Sequence, residues 1–383
     1  MLIEVHMLKN YAPSNLNRDE TGTPKTCMFG GVQRGRISSQ CLKRSWRKSK
    51  LFENAVGKDN FGIRTRKLPE KIAKELVKKG YDQDLAEKVA KLTNKLGKSK
   101  NREKENKQDK KKNEFMTGQI VFYSQDDIDS MVDLFDQQMQ NCKPEKEISK
   151  ITLDQIMSNM KKRKNPGISL DIALFGRMVT DDALRNVEAS MQVAHAISTN
   201  RVMLESDYFT AVDDLIDGID ESGSAIMDDA DFDSSCYYIY ASIDTDKLKE
   251  NLSCDQAEEL VQKTVPALIQ TMAFTNPSGK QNTFASHVLP SAILVECKDQ
   301  HIPVSLANAF EKPVRADHEG GLIDHSIERL INESEKLQKN YGIPYVKKLW
   351  FTTEDGLDFE DEGVDKCDNF NEMLDDVAQV IGA

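Results

Sequence analysis

Apolar positions along this chain follow a strand-like period at some places and a helical one at others. Residues 2–8, LIEVHML, are short, apolar and partly alternating, which predicts a strand. ASMQVAHAIS (189–198) alternates more strictly, with Met191, Val193, His195 and Ile197 on one face and Ser190, Gln192, Ala194 and Ala196 on the other. CYYIYASI (236–243) and SAILVECK (291–298) read as further strands. Residues 255–273 read as a helix with apolar Leu260, Val261, Val265, Leu268, Ile269 and Met272, kinked at Pro266. Tyr237, Tyr238 and Tyr240 are expected as sheet packing, and His195 as a packed core histidine on its strand's apolar face.

After the first strand comes a long stretch, NYAPSNLNRDETGTPKTCMFGGVQRGR, crowded with Asn, Gly and Pro and expected as a loop. Ser38 or Ser39 can cap the helix that follows, SSQCLKRSWRKS. At 100° per residue, Cys41, Leu42, Ser45 and Trp46 share one arc, and Gln40, Lys43, Arg44 and Arg47 share the opposite one. Residues 59–185 change character to lysine-rich, irregular helical patterns, read as an insertion. Within it, KSKNREKENKQDKKKN (98–113) is too polar to fold alone and is expected as a mobile loop. Without the insertions, the order is βαββαβ, so the expected class is α+β with a ferredoxin-like, or RRM-like, core.

The net charge of −11 is unevenly spread. Residues 205–233 hold 11 acidic and no basic residues, and residues 354–383 hold 11 acidic residues against one lysine. Removing both (−11 + 11 + 10) leaves +10 on the rest, of which residues 1–50 carry +7, from ten Lys/Arg and three Asp/Glu. A local basic surface is therefore compatible with an acidic chain. The acidic run Asp228, Asp229, Asp231, Asp233 is expected as a solvated loop and the acidic tail as a solubilising, flexible end. No apolar run approaches the ~20 residues of a membrane span, and the N-terminus lacks a signal-peptide layout, so a cytoplasmic protein is expected. Seven cysteines never form CxxC, which fits reduced thiols without a zinc site.

Catalytic signatures are missing. Neither HExxH nor GxSxG occurs, and Ser278-Gly279-Lys280 lacks the first glycine and the terminal hydroxyl of a P-loop. The six histidines show no i, i+4 pair, and no metal or cofactor site is expected. What remains is the basic system of residues 18–47. Gly30, Gly31 and Gly35 can bring backbone N–H groups close to phosphates. The adjoining helix sets Lys43 and Arg47 one turn apart, with Ser38 and Ser39 at its positive end. Such groups position a nucleic-acid backbone without reading its sequence.

SNLNRDETGTPKTCMFGGVQRGRISSQCLKRSWR (14–47) resembles the start of the CasC family, the backbone subunits of the type I-E CRISPR Cascade complex. The likeness continues at DIALFGRM (171–178), MQVAHAIST (191–199), DYFTAVDDL (207–215) and VSLANAFEKPV (304–314). The resemblance implies a right hand: palm at 1–58, 186–199 and 225–383, helical fingers at 59–185 and a thumb hairpin at 200–224. It further implies a non-catalytic subunit that stacks head-to-tail with copies of itself along CRISPR RNA, beside other Cascade subunits, and presents the guide to target DNA. By the same resemblance, Arg18, Lys25, Ser38, Gln40, Lys43 and Arg47 contact guide phosphates, Met178 sits at the kink, and Arg34, Arg36, Arg44 and Arg64 are secondary contacts. Finger lysines such as Lys143, Lys146, Lys150, Lys161, Lys162 and Lys164 are candidates for attracting DNA, with a solvated surface as the alternative. Two rivals stay open. One is a metal-dependent RNase using Asp19, against which Arg18 is expected simply to pair with that carboxylate; the other is a non-specific RNA coat protein.

Overall fold

The computed structural model describes residues 1–96, 115–141, 151–163, 166–179, 184–212 and 224–383. The expected mobile loop at 98–113 and the expected end of the thumb near Glu221, Ser222 and Gly223 lie outside the described residues.

The chain forms two compact units. The first comprises Met1–Ala55, Met191–Thr245 and Val261–Ala383 and is built on a mixed sheet. Its strands are β1 (Leu2–Ser14), β2 (Thr26–Phe29), β3 (Val32–Ile37), β6 (Met191–Val193), β7 (Ala196–Ser198), β8 (Glu205–Val212), β9 (Ser224–Asp244), β10 (Ala292–Lys298), β11 (Lys347–Thr352) and β12 (Asp365–Lys366). The order is β12-β11-β10-β1-β9-β7-β3-β2, with β6 and β8 also paired to β9. Among the described strand pairs, only β11–β12 is parallel. β1 lies centrally between β9 and β10, in register Val5↔Ala241 and Val5↔Val295. Leu2 to Lys9 are all buried, including the polar Glu4, His6 and Lys9 among five apolar residues. On one face Leu8, Tyr238, Tyr240, Leu294 and Trp350 pack with Ile327 and Leu330 of α11 (Leu322–Tyr341). Tyr237, Tyr238 and Tyr240 are buried, as the pattern predicts.

Several elements differ from expectation. The expected loop after β1 contains the β2–β3 hairpin, closed by Gly30 and Gly31 at φ +59° and +77°. Two central turn residues with positive φ make the type I′ turn that suits a hairpin's twist. Asp228–Asp233 belongs to β9 instead of a loop, and Asp233 is buried against the Tyr237 hydroxyl at 2.9 Å. The acidic tail is not a loose end. It ends in α12 (Phe370–Gly382), capped by Asn369 and burying Met373 and Val377.

The second unit comprises Val56–Ser190 and Asp246–Leu260, so it also takes in a segment that the sequence reading gave to the palm. Helices α3 (Leu68–Lys78), α4 (Gln83–Ala90), α5 (Gln125–Asn141) and α6 (Leu153–Lys161) surround a core that includes Ile72, Leu76, Val89, Met131, Phe135 and Ile156. Strands β4 (Ile63–Thr65) and β5 (Val121–Tyr123) pair beside them. No helix among the described residues is long and apolar enough to cross a membrane.

Candidate nucleic-acid interface

The segment between β1 and β2 is fixed by its own polar side chains. Asn15 donates from Nδ2 to the carbonyls of Gly22 (2.9 Å) and Asp231 (2.7 Å). The Thr23 hydroxyl donates to the Asp231 carboxylate at 2.7 Å. Asn17 joins this segment to the helix α1 (Ser39–Arg47): its Oδ1 accepts from the N–H of Ser38 at 2.9 Å, and its carbonyl accepts from the N–H of Lys25 at 2.8 Å. Arg18 is thereby held exposed on an ordered loop.

Asp19 does not form the expected pair with Arg18. Its Oδ1 accepts from the Thr21 N–H (2.9 Å), the Thr21 hydroxyl (2.7 Å) and the Thr23 N–H (3.1 Å). Those bonds, the Thr21 hydroxyl foremost, hold its carboxyl below the ordinary range.

Ser38 caps α1, its Oγ accepting from the Cys41 N–H at 3.3 Å. Leu42 and Trp46 are buried, while Gln40 and Arg44 are exposed and Lys43 and Arg47 half-exposed. The predicted two-faced helix is therefore present. Its first turn carries no acidic residue to offset the positive helix end. Burial of the Lys43 stem lowers its ammonium pKa.

Arg34 is a correction. It is fully buried, and its guanidinium donates to five carbonyls: Phe29 (3.3 Å), Ser198 (3.0 Å), Thr199 (2.7 Å), Phe310 (2.7 Å) and Glu311 (3.0 Å). All its directions point inward, so it holds the hairpin to the sheet and offers nothing to a phosphate. The expected glycine cradle is corrected as well. A Cβ at Gly30 would strike the Glu311 carbonyl and one at Gly35 the Tyr237 hydroxyl. The Gly35 N–H is already bound to Ser198 Oγ at 3.0 Å. Close packing accounts for both glycines.

His195 is the third correction, since it is exposed. Met191 pairs with Ile243 and Val193 with Ala241, but Ile197 pairs with Tyr238, a slip of one residue between β6 and β7. A one-residue slip exchanges the faces of a strand, which turns His195 outward and Ala196 inward. Arg36, half-exposed, donates to the Thr26 carbonyl (3.2 Å) and bonds His195 Nδ1 (3.0 Å). Desolvation, then the charges of Arg36 and Lys25, depress the pKa of His195. Lys25, Arg36, His195 and the start of α1 thus form one electropositive neighbourhood, into which sequence reading had not placed the histidine.

Two predicted residues belong to the second unit. Arg64 is exposed on β4. Met178 is 93% exposed, which excludes core packing. Its neighbours are locked: Arg177 is buried and pairs with Asp127 at 2.5 Å, and the Val179 N–H donates to Asn186 at 2.7 Å. Lys161 and Lys162 are exposed, while Lys143, Lys146, Lys150 and Lys164 lie outside the described residues.

A family model described as "CT1975-like protein" matches residues 3–378. The chain belongs to this CT1975-like family. A solved structure titled "CRISPR RNA-guided surveillance complex, pre-nicking" contains a similar chain, 28% identical, with a TM-score of 0.83 over 100% of both chains. A chain of a second, "CRISPR RNA-guided surveillance complex", is 21% identical with a TM-score of 0.61 over 99% of both, a likeness of fold. No curated protein matches.

Proposed function

We propose that this member of the CT1975-like family is a CRISPR RNA-binding backbone subunit of a Cascade-type surveillance complex in antiviral defence. The exposed cationic face on the Arg18 loop and α1, in a chain similar from end to end to one from an RNA-guided complex, carries this reading. Arg18, Lys25, Arg36, Lys43, Arg44 and Arg47 neutralise guide phosphates, and Ser38 and Gln40 add neutral hydrogen bonds. These groups grip a backbone and leave sequence to base pairing with target DNA.

The finer reading is of type I-E, a cytoplasmic complex in which copies stack head-to-tail on the guide. Its palm is RRM-like, an assignment supported by the order β10-β1-β9-β7, with α1 following β1 in the chain and α9 (Ala257–Phe274) preceding β10. The β8–β9 ribbon serves as the thumb; its exposed Tyr208 and Phe209 suit an apolar contact with a neighbouring copy despite the ribbon's acidity. Arg64 and the projecting Met178 serve as the fingers' contacts with the guide. The reading is of a non-catalytic subunit, supported by Asp19, whose Oδ1 already accepts from Thr21 and Thr23 in its own turn.

The test is co-purification of the tagged chain with the products of neighbouring genes, followed by sequencing of the bound RNA, beside Lys43→Glu/Arg47→Glu. Uniform short RNAs carrying CRISPR repeats, lost in the double variant, are expected. Random RNA would establish a coat protein instead. Mg²⁺-dependent RNA cleavage that disappears in Asp19→Ala would overturn the non-catalytic reading.

A further inference from the structure

Residues 275–290, TNPSGKQNTFASHVLP, hold no acidic residue in a chain with 63, and they include the SGK string that fails as a P-loop. In the first unit this segment is closed on itself by its own hydrogen bonds. The single turn α10 (Gln281–Phe284) is bracketed by two non-glycine residues in the left-handed region, Lys280 (φ +49°) and Ala285 (φ +47°). Such conformations are unfavourable for a residue with a Cβ and persist where surrounding bonds over-determine them. Here Gln281 Nε2 donates to the carbonyls of Pro277 (2.9 Å) and Ser286 (3.1 Å), closing the loop on itself. The Ala285 N–H donates to the Gln281 carbonyl at 2.8 Å.

The loop is docked on the elements already described. Gly279 lies so close to β1's end that a Cβ there would strike the Leu16 carbonyl and stand 2.7 Å from that of Asn15. Phe284 packs against Phe232 of β9 with ring centres 5.6 Å apart and planes tilted by 44°. At its entry, Asn276 accepts from the Tyr11 hydroxyl at 2.7 Å and donates to the Val288 carbonyl at 3.0 Å. Within 278–283 the exposed side chains are polar, those of Ser278, Asn282 and Thr283, and Lys280 is half-exposed with no carboxylate paired to it among the described residues, while Ala285 and Leu289 are exposed beyond this stretch.

We infer that residues 278–283 form a second contact with the backbone of the guide RNA, continuous with the Arg18 loop. Lys280 meets a phosphate, and Ser278, Asn282 and Thr283 hydrogen-bond to the same strand. This rests on the guide-binding reading above. It adds an element distant in sequence that is fixed to the first by Gly279.

The test uses the full chain with a labelled CRISPR RNA, titrated at several salt concentrations. Each phosphate contact to a single strand contributes about 0.7 to the slope of log K against log salt. Lys280→Gln should lower that slope by about 0.7, a loss of about fourfold at ~0.15 M salt, and Lys280→Arg should restore it. Lys336→Ala, on α11, should leave it unchanged. Lys43→Ala separates the two ideas. If Lys43→Ala lowers the slope and Lys280→Gln does not, the second contact is overturned while guide binding stands. If neither does, guide binding by this face is itself overturned. If Lys280→Gln spares RNA binding but weakens capture of target DNA by the assembled complex, the assignment to the guide is overturned.

Discussion

Arg36 and His195, 159 residues apart in sequence, meet at 3.0 Å between Nη1 and Nδ1. A guanidinium has no acceptor, so Nδ1 must accept, and the imidazole is neutral with its proton on Nε2. Desolvation and the charges of Arg36 and Lys25 act in the same direction, lowering the folded pKa below 6.5. The sign follows: below pH 6.5 the unfolded chain takes up a proton that the native one refuses, so this contribution to stability is present above 6.5 and lost as pH falls. Histidine-labelled NMR should show His195 titrating below 6.5, and Arg36→Gln should raise it. A value at or above 6.5 in the parent chain would refute this arrangement. Guide phosphates, as counter-charges, should also raise it on binding.

Arg34 shows that not every cation in the basic segment belongs to its surface. Removing it takes a donor from five carbonyls, of which that of Thr199 keeps the Val314 N–H at 2.8 Å, and each buried group left unsatisfied costs about 1–3 kcal/mol. Arg34→Ala should therefore lower stability by about 3–5 kcal/mol, whereas the exposed Arg44→Ala should stay within about 0.5 kcal/mol. Urea unfolding measures both. Equal, small effects would mean that Arg34 is not the clasp between β3 and the segments 198–199 and 310–311.

The contrast between these arginines marks what the sequence reveals. Helical spacing separates Leu42 and Trp46 from Gln40 and Arg44, because a 100° repeat maps directly onto a face. The strands at 2–8, 236–243 and 291–298 are legible for a similar reason, being covered on both sides. Arg34 and His195 are not legible, because their places depend on partners far along the chain. A guanidinium reads alike whether it meets solvent or five carbonyls, and a one-residue slip beyond Ala194 reverses an alternation that looks strict. The β2–β3 hairpin carries its own signal in Gly30-Gly31, a doublet that supplies the two positive φ angles of its turn, but the surrounding Asn, Gly and Pro make the stretch read as a loop, and the packing that forbids a Cβ at Gly30 is visible only in the fold. Buried polar residues inside apolar strands are hidden likewise: nothing local to LIEVHMLK says that Glu4, His6 and Lys9 are enclosed.

Lys9 turns that last point into a measurement. Its ammonium donates to the Ala273 carbonyl at 2.7 Å and to Asn276 Oδ1 at 3.3 Å, which also receives the Tyr11 hydroxyl. No carboxylate is bonded to it among the described residues, and burial alone lowers its pKa from 10.5 to about 7. Between those values the unfolded chain holds a proton that the folded chain has released. Stability from this group therefore rises with pH by about 1.4 kcal/mol per unit, from near 7 towards 10.5, and the penalty is fully present below 7. Lys9→Met keeps the stem's volume and removes the titration. The stability difference, parent minus variant, should climb across that window when urea unfolding is followed from pH 7 to 10. Parallel curves would show that Lys9 keeps its proton throughout, held by the two oxygens that face it.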